Sequence, residues 1–517
     1  MGADYAATTE TQDPFATAAE QFSTMTTHLQ SVAALTMTHD ALEAYICEEG
    51  RELQRRLLQA HLDVRAAAER RVRVAGSDGV ERDVARSGTT RKLGSVVGCV
   101  IVTRTLYQRA GVEGLAPQDA ALNLPAESYS LGVRKRAAEE AASGSFDHVV
   151  EQLRKTTGTP VPKRQVEELV CRAAEDFDAF YLERDPEPED DTLYLVLTFD
   201  GAGVPMRPEA LRDATRKASA QERRDERWPL KRLPPGKKRT RKRMAMVAAV
   251  YGVAPYPRTP DDIVRELRPV QSVTKRKKRP KPTNKRVWAN LSETGSDVIE
   301  QGFAEAMLRD PEQGRRWVVL VDGDKKQLRA VRKTARELGV EITIVLDVIH
   351  VLEYLWGAAY CFHAPGSQDA EQWVTKRLTM LLEGADASTV AAGMTRSATR
   401  QTLAERKAVD KCARYLRNNR AFLDYASALR DGLPIASGVI EGACRFLVRQ
   451  RLDIAGARWG LAGAEAVLRL RALKASGDFD AYWHFHTATE HRANHASRYA
   501  DAKVPEPIPR PRLRVVK

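Results

Sequence analysis

The chain has 517 residues, enough for roughly three or four ordinary domains, which excludes a peptide-sized scaffold or one minimal module. Lys and Arg number 82 against 69 Asp and Glu, and the resulting formal net charge of +13 suits a polyanionic partner such as nucleic acid. A hydrophobic content of 43% excludes wholesale disorder, and no stretch approaches the ~20 apolar residues of a membrane helix. The opening residues MGADYAATTE have neither a basic nor an apolar signal region, so a cytoplasmic protein is expected. The six cysteines form no C-x-x-C pair and are expected to be buried, small and apolar, which excludes a zinc finger or a disulfide framework.

Residues 1–90 are expected to be helical, with Leu42, Ile46, Leu53, Leu57 and Leu62 at helical spacing. Residues 91–185 open on a β-branched run, SVVGCVIVTRTLY, in which Gly98 marks a bulge or tight turn. Three helical patterns follow, over 131–142 and 146–155 and then on a face of Val166, Leu169, Val170, Ala173 and Phe177. The segment TGTPVP separates the last two, and Lys163 and Arg164 open the third. This is the pattern of a helix-turn-helix reading head or of a plain helical bundle.

The acidic, proline-bearing segment ERDPEPEDD places the main boundary near residue 186. The apolar run LYLVLTF ends in Asp200 and Gly201, MAMVAAVYGV follows, and WVVLV ends in Asp322 and Gly323. A helix over 325–338, the strand EITIVL ending at Asp347, and a helix from Val348 complete an alternating series. That series predicts an α/β core over 186–362. Two basic stretches interrupt it and read as loop-like inserts, 207–243 and 275–286. Their cations, Lys237, Lys238, Arg239, Arg241, Lys275, Arg276, Lys277, Lys278 and Arg279, are either a solvated surface or phosphate contacts. A helical insertion is expected over 363–432, the end of the core with Glu441 near a helix start over 433–490, and a mobile Pro/Arg-rich tail over 491–517.

Open α/β sheets place functional groups at the carboxyl ends of their strands, where Asp200 and Asp322 both fall, each before a glycine that permits a sharp turn. Two such carboxylates with a third from a nearby helix can hold two divalent cations for phosphoryl displacement. The bland alternative for each Asp-Gly is a turn, and Glu441 can instead pair with Arg445 one helical turn on.

Five phrases carry a resemblance: TFDGAGVPMR at 198–207, KRMAMVAAVY at 242–251, VLVDGDKKQL at 319–328, LDVIHVLEYLW at 346–356, and PIASGVIEGACR with GARWG at 434–460. Together and in this order they resemble ISKra4-type insertion-sequence transposases of the DDE, RNase H-like group, from about Phe146 onward. The resemblance implies an RNase H-like catalytic core with a helical insertion, which the residues themselves set after a mainly α-helical N-terminal region containing a small β element. It makes Asp200 the first acid, Asp322 the second with Asp347 as runner-up, and Glu441 the third. Asp347 and His350 are similar to a D-x-x-H element of related transposases, His350 being either functional or a core residue. Trp459 is similar to a family position too, as packing or base stacking. The implied cofactors are two Mg²⁺ or Mn²⁺ ions. The implied partners are double-stranded DNA, as terminal inverted repeats and target, and further copies of the chain on that DNA. Arg445 and Arg449 join the DNA-contact candidates, and the setting implied is the prokaryotic nucleoid. A domesticated DNA-binding protein without catalysis and an RNase H-like structure-specific nuclease are the alternatives.

Overall fold

A computed structural model describes residues 13–225, 241–267 and 279–508. The chain divides into two compact units, Met1–Tyr181 with Asp480–Lys517, and Leu182–Phe479.

In the first unit, helices Ala16–Leu29 and His39–Ala68 precede a three-stranded antiparallel sheet of β1 (Val84–Ser95), β2 (Gly98–Arg109) and β3 (Val112–Leu115). Leu62 of the long helix packs with Leu93, Val100, Val102 and Leu124. Gly98, at φ +120, opens β2 where a Cβ would meet the Arg55 side chain at 3.0 Å, so the turn needs glycine there. Helices Leu131–Ala141, Phe146–Thr157 and Lys163–Ala173 follow, the first two capped by Ser130 and Ser145. Gly158, left-handed at φ +66, ends the second.

The C-terminal part differs from the expected boundaries. Residues 480–490 belong to this first unit rather than to the end of the α/β half. Helix Phe479–Asn494 is held there by the Tyr482 hydroxyl, which donates to the Ala173 carbonyl at 2.8 Å, and by fully buried His486 between Arg134 (2.9 Å) and Asp176 (2.6 Å). The expected mobile tail is likewise corrected for 491–508. Tyr499 is buried with Val74, Tyr107 and Leu115, and the Arg70 amide donates to the Pro507 carbonyl at 2.8 Å. Residues 509–517 lie outside the described residues.

The second unit is an α/β core. Its mixed five-stranded sheet runs β6-β5-β4-β7-β8, with β4 (Tyr194–Pro205), β5 (Lys242–Val253), β6 (Thr283–Asn290), β7 (Trp317–Val321) and β8 (Ile342–Leu346). β4–β5 and β5–β6 are antiparallel, while β4–β7 and β7–β8 are parallel. Continuous apolar runs form the middle strands because both faces are covered: Leu195, Val196, Leu197, Val318, Val319 and Leu320 are fully buried. Helix Gly295–Arg309, opened by a Thr294/Asp297 capping box, comes so close that a Cβ at Gly302 would meet the Phe199 ring at 2.7 Å. The loop expectation for the basic stretches fails at their edges. Asp213–Asp225 is a helix, Lys242 and Arg243 begin β5, and Thr283–Asn290 is a strand because Val287, Trp288 and Ala289 are buried against the core.

Helices Gln368–Leu382, Ala387–Ser397, Lys407–Asn418 and Tyr425–Arg430 make up the segment between β8's following helix, Val348–Ala359, and the short helix Gly438–Cys444. A π-helical turn, Arg445–Arg449, continues that short helix, with the Gln450 amide reaching the Arg445 carbonyl at 2.9 Å. Of the cysteines, Cys412 and Cys444 are buried, whereas Cys47 and Cys99 are exposed, against expectation. Among the described residues, no helix is long and apolar enough to cross a membrane.

Candidate active site

The parallel register pairs Thr198 of β4 with Leu320 of β7, and Val321 of β7 with Leu346 of β8. Carried on in step, it sets Asp200, Asp322 and Asp347 at one level across three neighbouring strand ends, where strands lie ~4.8 Å apart. This is the carboxyl edge of the parallel strands, at which β7 and β8 stop while β4 runs on beside β5. Three acids thus come together that are 122 and 25 positions apart along the chain.

Their surroundings differ. Asp200 is half-buried; its Oδ1 accepts from the Gly201 amide at 2.6 Å and its Oδ2 from the Cys444 thiol at 3.3 Å. Asp322 is half-buried just past the end of β7. Its Oδ1 accepts from the Asp324 amide at 2.8 Å, and its carbonyl accepts from the Tyr415 hydroxyl at 2.8 Å. Burial raises the Asp322 pKa, the Asp324 amide and His350 oppose the rise, and the Asp200 and Asp324 charges add to it. Gly323, at φ +88, turns the chain against Tyr415 and Asn419 of the insertion.

Asp347 is 2% exposed and caps helix Val348–Ala359. Its Oδ1 accepts from the Ile349 amide at 2.8 Å and its Oδ2 from the Ser437 hydroxyl, so both oxygens are engaged. Burial raises its pKa, and the Ser437 and Ile349 hydrogen bonds oppose the rise. His350 is half-buried, with Nδ1 3.4 Å from Glu353, and when its ring is protonated it favours the ionised forms of both Asp322 and Asp347.

Glu441 is exposed in the first turn of Gly438–Cys444, and among the described residues it makes no ion pair with Arg445. It stands three residues before Cys444, on the same helix face. Burial, then the charge and hydrogen bond of Asp200, push the Cys444 thiol up. Arg449 opposes this and Glu441 adds to it. The thiol therefore stays protonated, as a donor to Asp200.

Among the described residues, no group of three or more His, Cys, Asp or Glu is gathered closely enough to hold a metal ion. The donor chemistry nevertheless fits a hard divalent cation: the register sets Asp200 and Asp322 level on adjacent strands, and neither has a Lys or Arg partner among the described residues. Exposed Glu441 lies one helical turn from Cys444, the residue bonded to Asp200. Neither a known protein family nor a curated protein matches this chain.

The expected DNA contacts fall in both units. Lys163 pairs with Asp147 at 2.8 Å and Arg164 with Glu168 at 3.2 Å, both in the first unit. Arg241 is half-buried beside the start of β5, and exposed Arg279 pairs with Glu266. Arg445 and Arg449 are exposed on the π-helical turn beyond Glu441. Lys237, Lys238, Arg239, Lys275, Arg276, Lys277 and Lys278 lie outside the described residues. Trp459 packs: it is 7% exposed, its indole donates to the Leu452 carbonyl at 3.0 Å, and its amide donates to Pro205 at 3.1 Å.

Sequence reasoning missed several residues of the site. Cys444 was readable only as its i+3 spacing from Glu441, and Ser437 and Tyr415 carried no signal because their partners are distant in sequence. It also passed over Lys325, Lys326 and Arg329, exposed cations without ion pairs among the described residues, on the helix that begins three residues after Asp322. The signal was an amphipathic helix with two lysines directly behind a strand-end acid.

Proposed function

We propose that the chain is a DDE-type transposase of an insertion sequence, which cleaves DNA at the ends of its element and joins the freed 3′-hydroxyl to target DNA. The observation that carries this reading is the meeting of Asp200 and Asp322 at one level of adjacent parallel strands, with Asp200 bonded to Cys444 one turn beyond Glu441. An RNase H-like sheet sets its first and fourth strands side by side, as β4 and β7 stand here, and this supports the finer fold reading.

Divalent cations, when bound, supply an activated water or 3′-hydroxyl and stabilise the leaving oxygen. The chain's own residues position the rest. Gly201 and Cys444 fix the Asp200 carboxylate, the Asp324 amide and the Gly323 turn fix Asp322, and Tyr415 anchors the Asp322 backbone. Exposed Glu441 completes the set from the helix. Lys325, Lys326 and Arg329 on one side, and Arg445 and Arg449 on the other, offer phosphate contacts that orient the duplex. Hydrolysis and strand transfer are the same displacement with different attackers, so one site serves both.

The test is an assay on terminal-repeat DNA ending in a free 3′-hydroxyl, with Mg²⁺ and a target duplex. Joined products are expected. Nicks without joining would favour a structure-specific nuclease, and a shifted but intact duplex a DNA-binding protein.

A further inference from the structure

The insertion helix Lys407–Asn418 has two faces of opposite character. Val409, Cys412, Ala413, Tyr415 and Leu416 are buried, and Lys407, Lys411, Arg414 and Arg417 are exposed on the other side. Steps of three or four residues keep those four cations on one stripe along the helix. Exposed Arg420 follows just past the helix end.

None of these cations makes an ion pair among the described residues. Arg417 donates to the Thr395 hydroxyl at 3.3 Å, and the Lys411 ammonium stands 4.9 Å from the centroid of the Tyr354 ring. The helix's own acid, Asp410, is spent on Arg406 at 2.9 Å. Like charges one turn apart destabilise the helix that carries them, whereas a merely solvated face interleaves both signs, so this stripe fits an anion from outside the chain. A lipid surface does not fit. A basic helix binds one by burying its apolar face, and here Val409, Cys412, Ala413 and Leu416 already spend that face in the core.

The same helix reaches the acid cluster. The Tyr415 hydroxyl donates to the Asp322 carbonyl at 2.8 Å, the Tyr415 ring stacks on Tyr354 with centroids 3.9 Å apart, and Asn419 at the helix end lies against Gly323. We propose that the exposed face of this helix is a docking surface for the phosphate backbone of duplex DNA, held beside the turn of Asp322 by Tyr415. This rests on the reading of the chain as one that acts on DNA. At ~1.5 Å per residue the stripe from Lys407 to Arg417 is ~15 Å long, and a duplex strand presents a phosphate every ~3.4 Å of axis, so several phosphates come within its reach. Contacts of this kind position a duplex without reading its sequence. A rigid helix bonded to the Asp322 turn gives that positioning a fixed reference.

The test is binding of a fluorescein-labelled duplex of arbitrary sequence to the full-length chain in EDTA, followed by fluorescence anisotropy over a range of salt. Replacing Lys407, Lys411 and Arg414 together by Gln should weaken binding at least about tenfold near physiological salt and lower the slope of log affinity against log salt by about 0.9 per lost contact. Lys407→Arg with Lys411→Arg keeps the charge and should keep the wild-type slope. Replacing Lys376, Arg396 and Arg400 by Gln removes the same charge from other exposed positions of the insertion and should leave binding near wild type. Unchanged affinity and slope in the first triple variant, with wild-type circular dichroism, would overturn the proposal and leave the face to an acidic protein. Equal losses in both triple variants would overturn it as well, because net charge alone would then account for them. Binding in EDTA needs no catalysis, so a chain that joins DNA while the first variant keeps its slope sinks this surface alone. One that loses the slope yet never cleaves sinks only the transposase reading, and a wild-type chain that binds no duplex overturns both.

Discussion

The thiol of Cys444 donates to Oδ2 of Asp200 across 3.3 Å, tying the helix that carries Glu441 to the middle strand of the sheet. Groups that orient a metal-ligating carboxylate typically contribute 10- to 100-fold to metal affinity or activity. Cys444→Ala should therefore lower Mg²⁺-dependent cleavage about tenfold and raise the Mg²⁺ concentration for half-maximal rate, with Cys444→Ser recovering part of both. A purely structural thiol would change the melting temperature and leave the metal dependence in place.

Gly323 is the second lever on the site. Its φ of +88 disfavours any Cβ, and an added methyl would stand 2.9 Å from Asn419 and 3.0 Å from Tyr415. Gly323→Ala should cost about 1–3 kcal/mol in urea denaturation. It should also lower cleavage beyond the stability loss, because the turn aims Asp322.

Asp347 and Asp322 should behave in opposite ways. Asp347 caps its helix and bonds Ser437, so Asp347→Ala should destabilise the fold by about 1–2 kcal/mol. Asp322 has a pKa raised chiefly by burial, so the folded state binds its proton more tightly than the unfolded chain does. Its contribution to stability is present below the ordinary Asp range and is lost as pH rises through the folded pKa. At neutral pH in EDTA, Asp322→Asn should match or exceed the wild-type melting temperature, and the difference should fade toward acid pH.

Much of the α/β half was legible because its signals are local. LYLVLTF, WVVLV and EITIVL are short apolar runs that end in Asp, and the core buries them on both faces. Residues 325–338 read as a helix and form one, capped by Asp324 and closed by Gly339. What escaped depends on partners far along the chain. Thr283–Arg286 read as the end of a basic loop, because the three residues that make it the start of a strand, Val287, Trp288 and Ala289, lie beyond it and are buried only by the sheet. The docking of 480–508 with the first unit rests on Arg134, Asp176 and Ala173, more than 300 positions away. Level placement of Asp200 and Asp322 requires knowing that β4 and β7 are neighbours, which spacing alone does not give. Nor did the sequence show that Asp347 spends both oxygens on Ile349 and Ser437 and so differs from Asp322.

The cations behind Asp322 make a separate prediction. If Lys325, Lys326 and Arg329 contact phosphates, replacing all three by Ala should weaken DNA binding about equally across sequences. The slope of log affinity against log salt should fall by about 0.9 per lost contact. An unchanged slope would place the duplex elsewhere.

The central claim is that Asp200, Asp322 and Glu441 act as one site, and single Ala variants on terminal-repeat DNA with Mg²⁺ test it most directly. Each variant should bind the DNA with near wild-type affinity and lose cleavage by at least about a thousandfold. Mg²⁺-dependent cutting retained by all three variants would contradict the account.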